Sequence, residues 1–208
     1  MRKLASCLGC ILLLTLMTQA GNVQAVELSA SQIAEIQKEA EQGDAIAQKF
    51  LGSIYLKGRG VPQNSGKGVY WLQKSAEQGV FDAQFILGLI YYYGDEIDIP
   101  EDYAKAALWL QKAVEQDVAD TNVTTAQSIL GYIYASKKFA QQDDFEATKW
   151  WKKAADKGEA DAQSMLGMFH LIGRGVIRDK QKGCGLIRAS AEQGHKGAIE
   201  SYNKFCAD

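Results

Sequence analysis

The chain has 208 residues, with 25 aspartate and glutamate side chains against 23 lysine and arginine side chains, and a formal net charge of −2. This mildly acidic balance argues against nucleic acid as a partner, because phosphate backbones are bound by clustered positive charge. After residue 25, no stretch of the sequence is long and apolar enough to cross a bilayer, so we expect no membrane insertion once an N-terminal signal is removed.

The first 25 residues match the pattern of a secretory signal peptide. Arg2 and Lys3 provide a positive start, Leu8 to Met17 form an apolar run, and Val23-Gln24-Ala25 fits a cleavage site with small residues. A retained membrane anchor is the alternative, although the apolar run is shorter than a bilayer span. We therefore predict cleavage after Ala25 and a mature chain that is periplasmic or secreted.

One pattern recurs four times along the rest of the chain. Each copy has an Ala-Gln pair followed one helical turn later by a Leu-Gly pair, and these second pairs are Leu51-Gly52, Leu87-Gly88, Leu130-Gly131 and Leu166-Gly167. Successive copies are offset by 36, 43 and 36 residues. A repeat of this length indicates a stack of supersecondary units, not one closed core.

Each copy is predicted to contain two helices. Ala47, Leu51 and Ile54 recur at helical spacing in the first helix of the first copy, and Leu72 and Ala76 do so in the second helix. By this pattern the four copies occupy about 44–79, 80–117, 123–158 and 159–194, with single capping helices at 31–42 and 195–206.

The glycines and tryptophans of the pattern predict how the helices pack. The glycine of each Leu-Gly pair lies inside a helix, where glycine costs about 1 kcal/mol relative to alanine, so we expect close helix-to-helix approach at these positions. The tryptophans that recur in the second helices are predicted to anchor the core between helices, and they are Trp71, Trp109 and Trp150.

Two cysteines remain after cleavage of the signal, Cys184 and Cys206, and an even number in an exported chain predicts a disulfide. If residues 180–193 and 195–206 form an antiparallel helix pair, the two cysteines face each other across it. Closing a segment of about 22 residues would stabilise the fold by roughly 3 kcal/mol. Two free buried thiols are the alternative.

These residues resemble the Sel-one-like repeat, a branch of the tetratricopeptide-like α-solenoids. The Gly-x-Gly loop of that family is legible as Gly58-Arg59-Gly60 and Gly173-Arg174-Gly175, whereas residues 137–140 replace it in the third copy. The resemblance covers about 31–206. It implies an all-α, right-handed solenoid of about ten antiparallel helices, with four repeats and terminal half-repeats, in a single domain over 26–208.

The sequence shows no set of residues suited to catalysis or metal binding. The chain has two histidines, of which His170 stands at the helical phase of Tyr55 and Tyr134 and is predicted to pack, while His195 lies in a turn. No group of cysteines and histidines has the spacing of metal ligands. We therefore predict no catalytic, cofactor-binding or metal-binding residues.

In a tetratricopeptide-like stack the first helices line the concave side. The phases that should face this groove are polar in the first copy, at Lys49, Ser53 and Lys57. In later copies the same phases carry apolar or aromatic side chains, and the predicted partner-binding residues are Phe85, Leu89, Tyr92, Tyr93, Tyr132 and Met168. Exposed surface of this kind is typical of interaction sites. The alternative is that tight winding of the stack buries the stripe.

The favoured interpretation is an exported, non-enzymatic adaptor that binds another protein or an extended peptide on its concave face, without a cofactor. Exported proteins that resemble this family include toxin-neutralising immunity proteins, and the acidic loop Asp95–Asp98 suits that alternative. A second alternative is a penicillin-binding or hydrolytic cell-wall protein. The extra residues at 95–100 and 117–124 are candidates for a binding role, with neutral drift in loop length as the alternative.

Overall fold

The structure, a computed structural model, describes residues 28–94, 99–116, 118 and 121–207. Within these residues it contains ten α-helices and no strand, so the predicted all-α class is confirmed. The helices are α1 (Ala30–Glu41), α2 (Ala45–Lys57), α3 (Ser65–Glu77), α4 (Phe81–Tyr93), α5 (Tyr103–Val114), α6 (Thr121–Ala135), α7 (Asp144–Ala155), α8 (Ala160–Ile172), α9 (Lys180–Glu192) and α10 (Lys196–Phe205).

Some predictions fall on residues that lie outside this description. They concern the signal peptide over 1–25, the acidic loop Asp95–Asp98 and most of 117–120. In the part of the chain that is described, none of the helices combines the length and the apolar character that a membrane span requires.

The contacts between helices group the chain into two compact units. The first comprises the described residues 28–87 and 99–100, and the second comprises 88–94 and 101–207. The division falls inside α4, the first helix of the second predicted repeat. The single domain over 26–208 remains a prediction.

The first unit is built from α1, α2, α3 and the start of α4. One buried cluster joins α1 and α2, formed by Ile36, Ala40, Ala47, Leu51 and Ile54. The next pair, α2 and α3, packs so closely that a Cβ atom on Gly52 would lie 2.9 Å from the carbonyl oxygen of Gly68. The close approach expected at the helix glycines is therefore present in the first repeat.

The second unit runs from the end of α4 to α10, and consecutive helices from α5 onward pack against each other. Its buried cluster joins α7 and α8, and the members are Ala147, Trp151, Ala154, Ala155, Ala162, Leu166 and Phe169. The helix glycines again face the following helix, because a Cβ atom would lie 2.5 Å from Leu110 Cγ at Gly88 and 2.7 Å from Ile187 Cγ1 at Gly167.

The prediction for the tryptophans holds at Trp109, which is buried; Trp71 is half-buried and packs against the first cluster, and the prediction is wrong in the third repeat. There Gly131 faces Trp151, which is fully buried and whose Nε1–H donates to the carbonyl oxygen of Ser128 at 3.1 Å. Trp150 is only half-buried, with the Lys153 ammonium 4.1 Å from its ring centroid. The residue that contacts the glycine is therefore one position after the predicted tryptophan, because this face of α7 packs against α6.

A repeated glutamine pair holds the two helices of a repeat together. In the first unit Gln78 Nε2 donates to Gln48 Oε1 at 2.8 Å, and in the second Gln193 Nε2 donates to Gln163 Oε1 at 2.8 Å. Both pairs are separated by 30 residues. In the third repeat the position 30 residues after Gln127 is Lys157, and Gln127 Oε1 is buried with no hydrogen-bond partner among the described residues.

We expect Lys157→Gln to raise the free energy of unfolding by about 1 kcal/mol, because the new amide can donate to the buried Gln127 oxygen. Urea denaturation followed by far-UV circular dichroism measures the change. Lys157→Ala is the matched control, since it removes the lysine without adding a donor. Equal stability of the two variants would contradict the assignment of Gln127 as an unsatisfied acceptor.

The Gly-x-Gly loop of the fourth repeat packs onto the start of α7. Gly175 has φ of +67°, and a Cβ atom there would overlap the backbone oxygen of Asp144. Arg174 Nε donates to the Asp144 carboxylate at 2.7 Å, and this hydrogen bond lowers the pKa of Asp144. The third repeat, which lacks the glycines, instead buries Phe139 against the ring of Tyr134, with 5.3 Å between centroids.

The structure joins Cys184 of α9 to Cys206 at the end of α10 by a disulfide, with a Cα–Cα distance of 5.5 Å and a sequence separation of 22. The two helices form the antiparallel pair that the sequence predicts, with Gly194 in the turn between them. The bridge therefore ties α10, a first helix without a second one in the described chain, to the fourth repeat.

Candidate functional site

A cluster of tyrosines in the second unit forms the candidate partner-binding surface. Tyr92 and Tyr93 end α4, and their ring centroids are 4.8 Å apart in an edge-to-face arrangement. Tyr103, the first residue of α5, stacks on Tyr92 with 5.5 Å between centroids. Tyr93 is 68% exposed, an unusual degree of exposure for a large aromatic side chain. We call these three residues and Tyr132 the tyrosine surface.

Tyr132 lies on α6 with one edge of its ring against the core. Its ring is 5.4 Å from that of Trp151 and packs on the buried cluster that includes Ala162 near the start of α8. Two carboxylates at the start of α8 act on Tyr132 through their charge, those of Asp161 and Glu159. Glu159 also caps α8 through the Asp161 and Ala162 N–H groups. Tyr132 is half-buried, so it belongs partly to the core and partly to the surface.

The pKa values of the two half-buried tyrosines reflect these surroundings. Burial raises the pKa of Tyr92 to about 12, and the neighbouring Tyr103, Tyr93 and Glu101 add to the effect. Burial also raises the pKa of Tyr132 above its ordinary value, with further contributions from Asp161 and Glu159. Both hydroxyl groups therefore keep their protons throughout the neutral range and remain available as hydrogen-bond donors.

The structure corrects one of the predicted binding residues. Phe85 is only 8% exposed and stacks on Phe81 at 6.2 Å, so it is a core residue and not part of a binding surface. Ser128 and Ser164, which share its helical phase in the later repeats, are buried as well. The physical reason is visible at Ser128, whose carbonyl oxygen accepts from the indole of Trp151, because α7 covers this side of α6.

The remaining predicted binding residues are accessible to different degrees. Leu89 and Met168 are half-buried, as are Tyr92 and Tyr132, whereas Tyr93 is exposed. Leu89 precedes Tyr92 and Tyr93 by one helical turn, and Met168 occupies the equivalent phase on α8. The second unit thus contains all the predicted binding residues except Phe85. Their role in binding is a proposal, taken up below.

Three features of this surface are not predicted by the repeat pattern. Tyr103 lies outside the predicted stripe because it belongs to a second helix, although an aromatic residue after the helix-capping Asp102 is a detectable signal. The Lys138 ammonium lies 2.7 Å from a Glu101 carboxylate oxygen and 5.8 Å from the Tyr103 ring centroid. In the third repeat these contacts take the place of the Gly-x-Gly loop. The missing glycines alone do not predict them.

The third feature is a histidine that joins the turn before α10 to the start of α8. His195 Nδ1 accepts from the Ala198 N–H at 3.0 Å and caps α10. Its Nε2 lies 2.7 Å from Asp161 Oδ1, so in the neutral ring the Nε2–H donates to that carboxylate. Asp161 is thereby held in place beside Tyr132.

The other histidine of the chain has a packing role. His170 is buried at the tyrosine phase, as predicted, and its Nδ1 is 3.3 Å from the Ile177 carbonyl oxygen. Among the described residues, no cluster of histidine, cysteine and acidic side chains is arranged to hold a metal ion.

Comparison with known proteins places the repeats in one family. The Sel1 repeat model matches residues 45–80, 81–118, 124–159 and 160–195. These ranges agree with the predicted repeats to within a few residues, and together they cover most of the chain.

Solved structures give the same result. A Sel1 repeat protein from Oxalobacter formigenes is 32% identical, with a TM-score of 0.64, over 84% of this chain and 49% of that one. A protective antigen of uropathogenic Escherichia coli with an SLR fold is 34% identical, with a TM-score of 0.67, over 85% of this chain and 38% of that one. The chain therefore spans half or less of the length of these two structures.

Proposed function

This chain belongs to the Sel1 repeat family, and we propose that it is a non-enzymatic adaptor that binds another protein through the tyrosine surface of its second unit. Sel1 repeats generally mediate protein–protein interaction. The observation that carries the proposal is Tyr93, a large aromatic side chain that is 68% exposed beside Tyr92 and Tyr103. Aromatic side chains that already have packed neighbours lose little conformational entropy on binding and are favoured as interface anchors.

We further propose that the protein works outside the cytoplasm, in the periplasm or as a secreted protein. The disulfide between Cys184 and Cys206 supports an oxidising compartment, because such bonds persist in exported proteins and are rare in the cytosol. The signal peptide predicted over 1–25 supports the same location. Mass determination of the N-terminus of the protein purified from its native cells tests the proposal, which predicts a chain starting at Val26.

Affinity capture with matched variants tests the binding role. Immobilised wild-type protein and the variant Tyr93→Ala with Tyr132→Phe are exposed to a native envelope extract, and bound proteins are identified by mass spectrometry. We expect the variant to capture at least about tenfold less of one protein than the wild type does, since aromatic anchors at the centre of an interface contribute about 2 kcal/mol or more to binding. Tyr132→Phe keeps the ring that packs on Trp151 and removes only the hydroxyl group.

Tyr70→Ala is the control for this experiment. Tyr70 is 54% exposed, but it lies on a second helix in the first unit. A partner that is lost equally from this control would contradict the tyrosine surface as the binding site. A captured toxin would make the chain an immunity protein, and covalent labelling of the purified protein by a fluorescent penicillin would contradict the non-enzymatic proposal.

A further inference from the structure

The tyrosine surface combines aromatic rings with carboxylates. Tyr132 packs on the cluster that includes Ala162, next to Asp161 and Glu159 at the start of α8. The side chain of Asp161 is 52% exposed and is fixed by His195. Glu101 lies beside Tyr103 at the other end of the surface, where Lys138 balances its charge. Among the described residues no lysine or arginine forms an ion pair with Asp161 or Glu159, so the side near Tyr132 keeps its negative charge.

Tyr92, Tyr93 and Tyr132 differ from four of the other tyrosines, including Tyr103 on the same surface, in their contacts with cations. Lysine ammonium groups lie over the rings of Tyr55, Tyr70, Tyr91 and Tyr103, at 5.1 to 5.8 Å from the centroids. Among the described residues, no lysine or arginine lies over Tyr92, Tyr93 or Tyr132. The faces of tyrosine rings attract cations, and a nearby carboxylate attracts the same cation by its charge. The rings of Tyr92, Tyr93 and Tyr132 are therefore not already in contact with a lysine or arginine of the described chain, and a cation from outside can approach them.

A buried polar group lies one helical turn from Tyr132 on the same face of α6. Ser128 Oγ is buried and has no hydrogen-bond partner among the described residues. A buried polar atom without a partner is costly, and a water molecule at this covered position would complete it. The neighbouring Tyr132 hydroxyl is a protonated donor suited to a peptide carbonyl. The surface therefore offers both a cation-attracting face and a hydroxyl donor for a main chain.

From this combination we infer that the partner presents an extended segment with an arginine or lysine side chain, which lies over Tyr93 and Tyr132 and directs its charge toward Asp161. The inference rests on the proposed binding role of the same surface and adds the chemistry of what is bound. An acidic segment would place its charge against Asp161 and Glu159, so the surface discriminates against it.

Two labelled peptides of equal length test the inference. One repeats Gly-Ser-Arg and the other repeats Gly-Ser-citrulline, which keeps the shape of arginine but lacks its charge. Binding to the full chain is followed by fluorescence anisotropy. We expect the arginine peptide to bind about tenfold more tightly than the citrulline peptide, and to weaken about fivefold with Tyr93→Leu or Asp161→Asn. Tyr70→Leu should leave its affinity unchanged, and the melting temperature of each variant shows that it is folded.

Other outcomes separate this inference from the binding role itself. Equal binding of the two peptides, or arginine binding that Asp161→Asn does not change, overturns the cationic assignment. If a native protein is still captured in a Tyr93-dependent way, the adaptor role stands and only the chemistry of the segment is wrong. If no native protein depends on Tyr93, the adaptor role and this inference both fail.

Discussion

Alanine in place of Gly175 is expected to lower the free energy of unfolding by about 3 kcal/mol, as urea denaturation would measure it. Two effects combine at this position. The backbone has φ of +67°, which costs a residue with a Cβ atom about 1–2 kcal/mol. The added Cβ would also overlap the Asp144 backbone oxygen, so the loop must move away from α7. That movement also disrupts the ion pair between Arg174 and Asp144.

Gly158→Ala separates the two effects. Gly158 also has a positive φ, of +87°, but apart from its chain neighbours no atom lies within 4 Å of the position that an added methyl group would occupy. Only the conformational cost of about 1–2 kcal/mol is therefore expected there. A loss of stability at Gly175 no larger than that at Gly158 would show that the loop does not depend on its close contact with α7.

Trp151→Ala is expected to lower the free energy of unfolding by about 3–5 kcal/mol, because a fully buried aromatic side chain is replaced by a cavity. The change removes the hydrogen bond to Ser128 and the contacts with Gly131, Tyr132 and Phe169. The neighbouring Trp150→Ala should cost about 1 kcal/mol or less, since Trp150 is half-buried and its ring contacts Lys153. Chemical denaturation of the two variants compares them directly, and equal losses would contradict the assignment of Trp151 to the core.

The helices themselves could be predicted from the sequence, but not every contact between them. Repeated glycines and leucines identify which helices pair, because close packing of two helices requires a glycine at the same position of every repeat. In every repeat the glycine meets the residue after the tryptophan phase, at Leu72, Leu110, Trp151 and Ile187. A prediction based on the recurring tryptophans therefore favours Trp150 where the structure places Trp151. The two tryptophans are adjacent, and only the rotation of α7 about its axis decides between them.

The candidate surface was predictable in part for the same reason. Exposure at Tyr93 follows from its helical phase, whereas burial at Phe85 depends on neighbouring helices that cover that phase. Tyr103 and Asp161 reach the surface from other helices, at distances along the chain that the repeat pattern does not connect. The acidic character beside Tyr132 therefore emerges only from the packed structure.

Because Tyr132 contacts Trp151, binding at the tyrosine surface can affect the intrinsic fluorescence of the protein. Buried indoles emit at shorter wavelength than half-buried ones, so the signal of Trp151, together with that of the buried Trp109, can be distinguished from that of Trp71 and Trp150. The Tyr132 ring lies 5.4 Å from the Trp151 indole, within range for excitation energy to pass between them. A ligand that shifts Tyr132 changes this transfer, and occupation of the surface can be followed in the intrinsic fluorescence of the unlabelled protein.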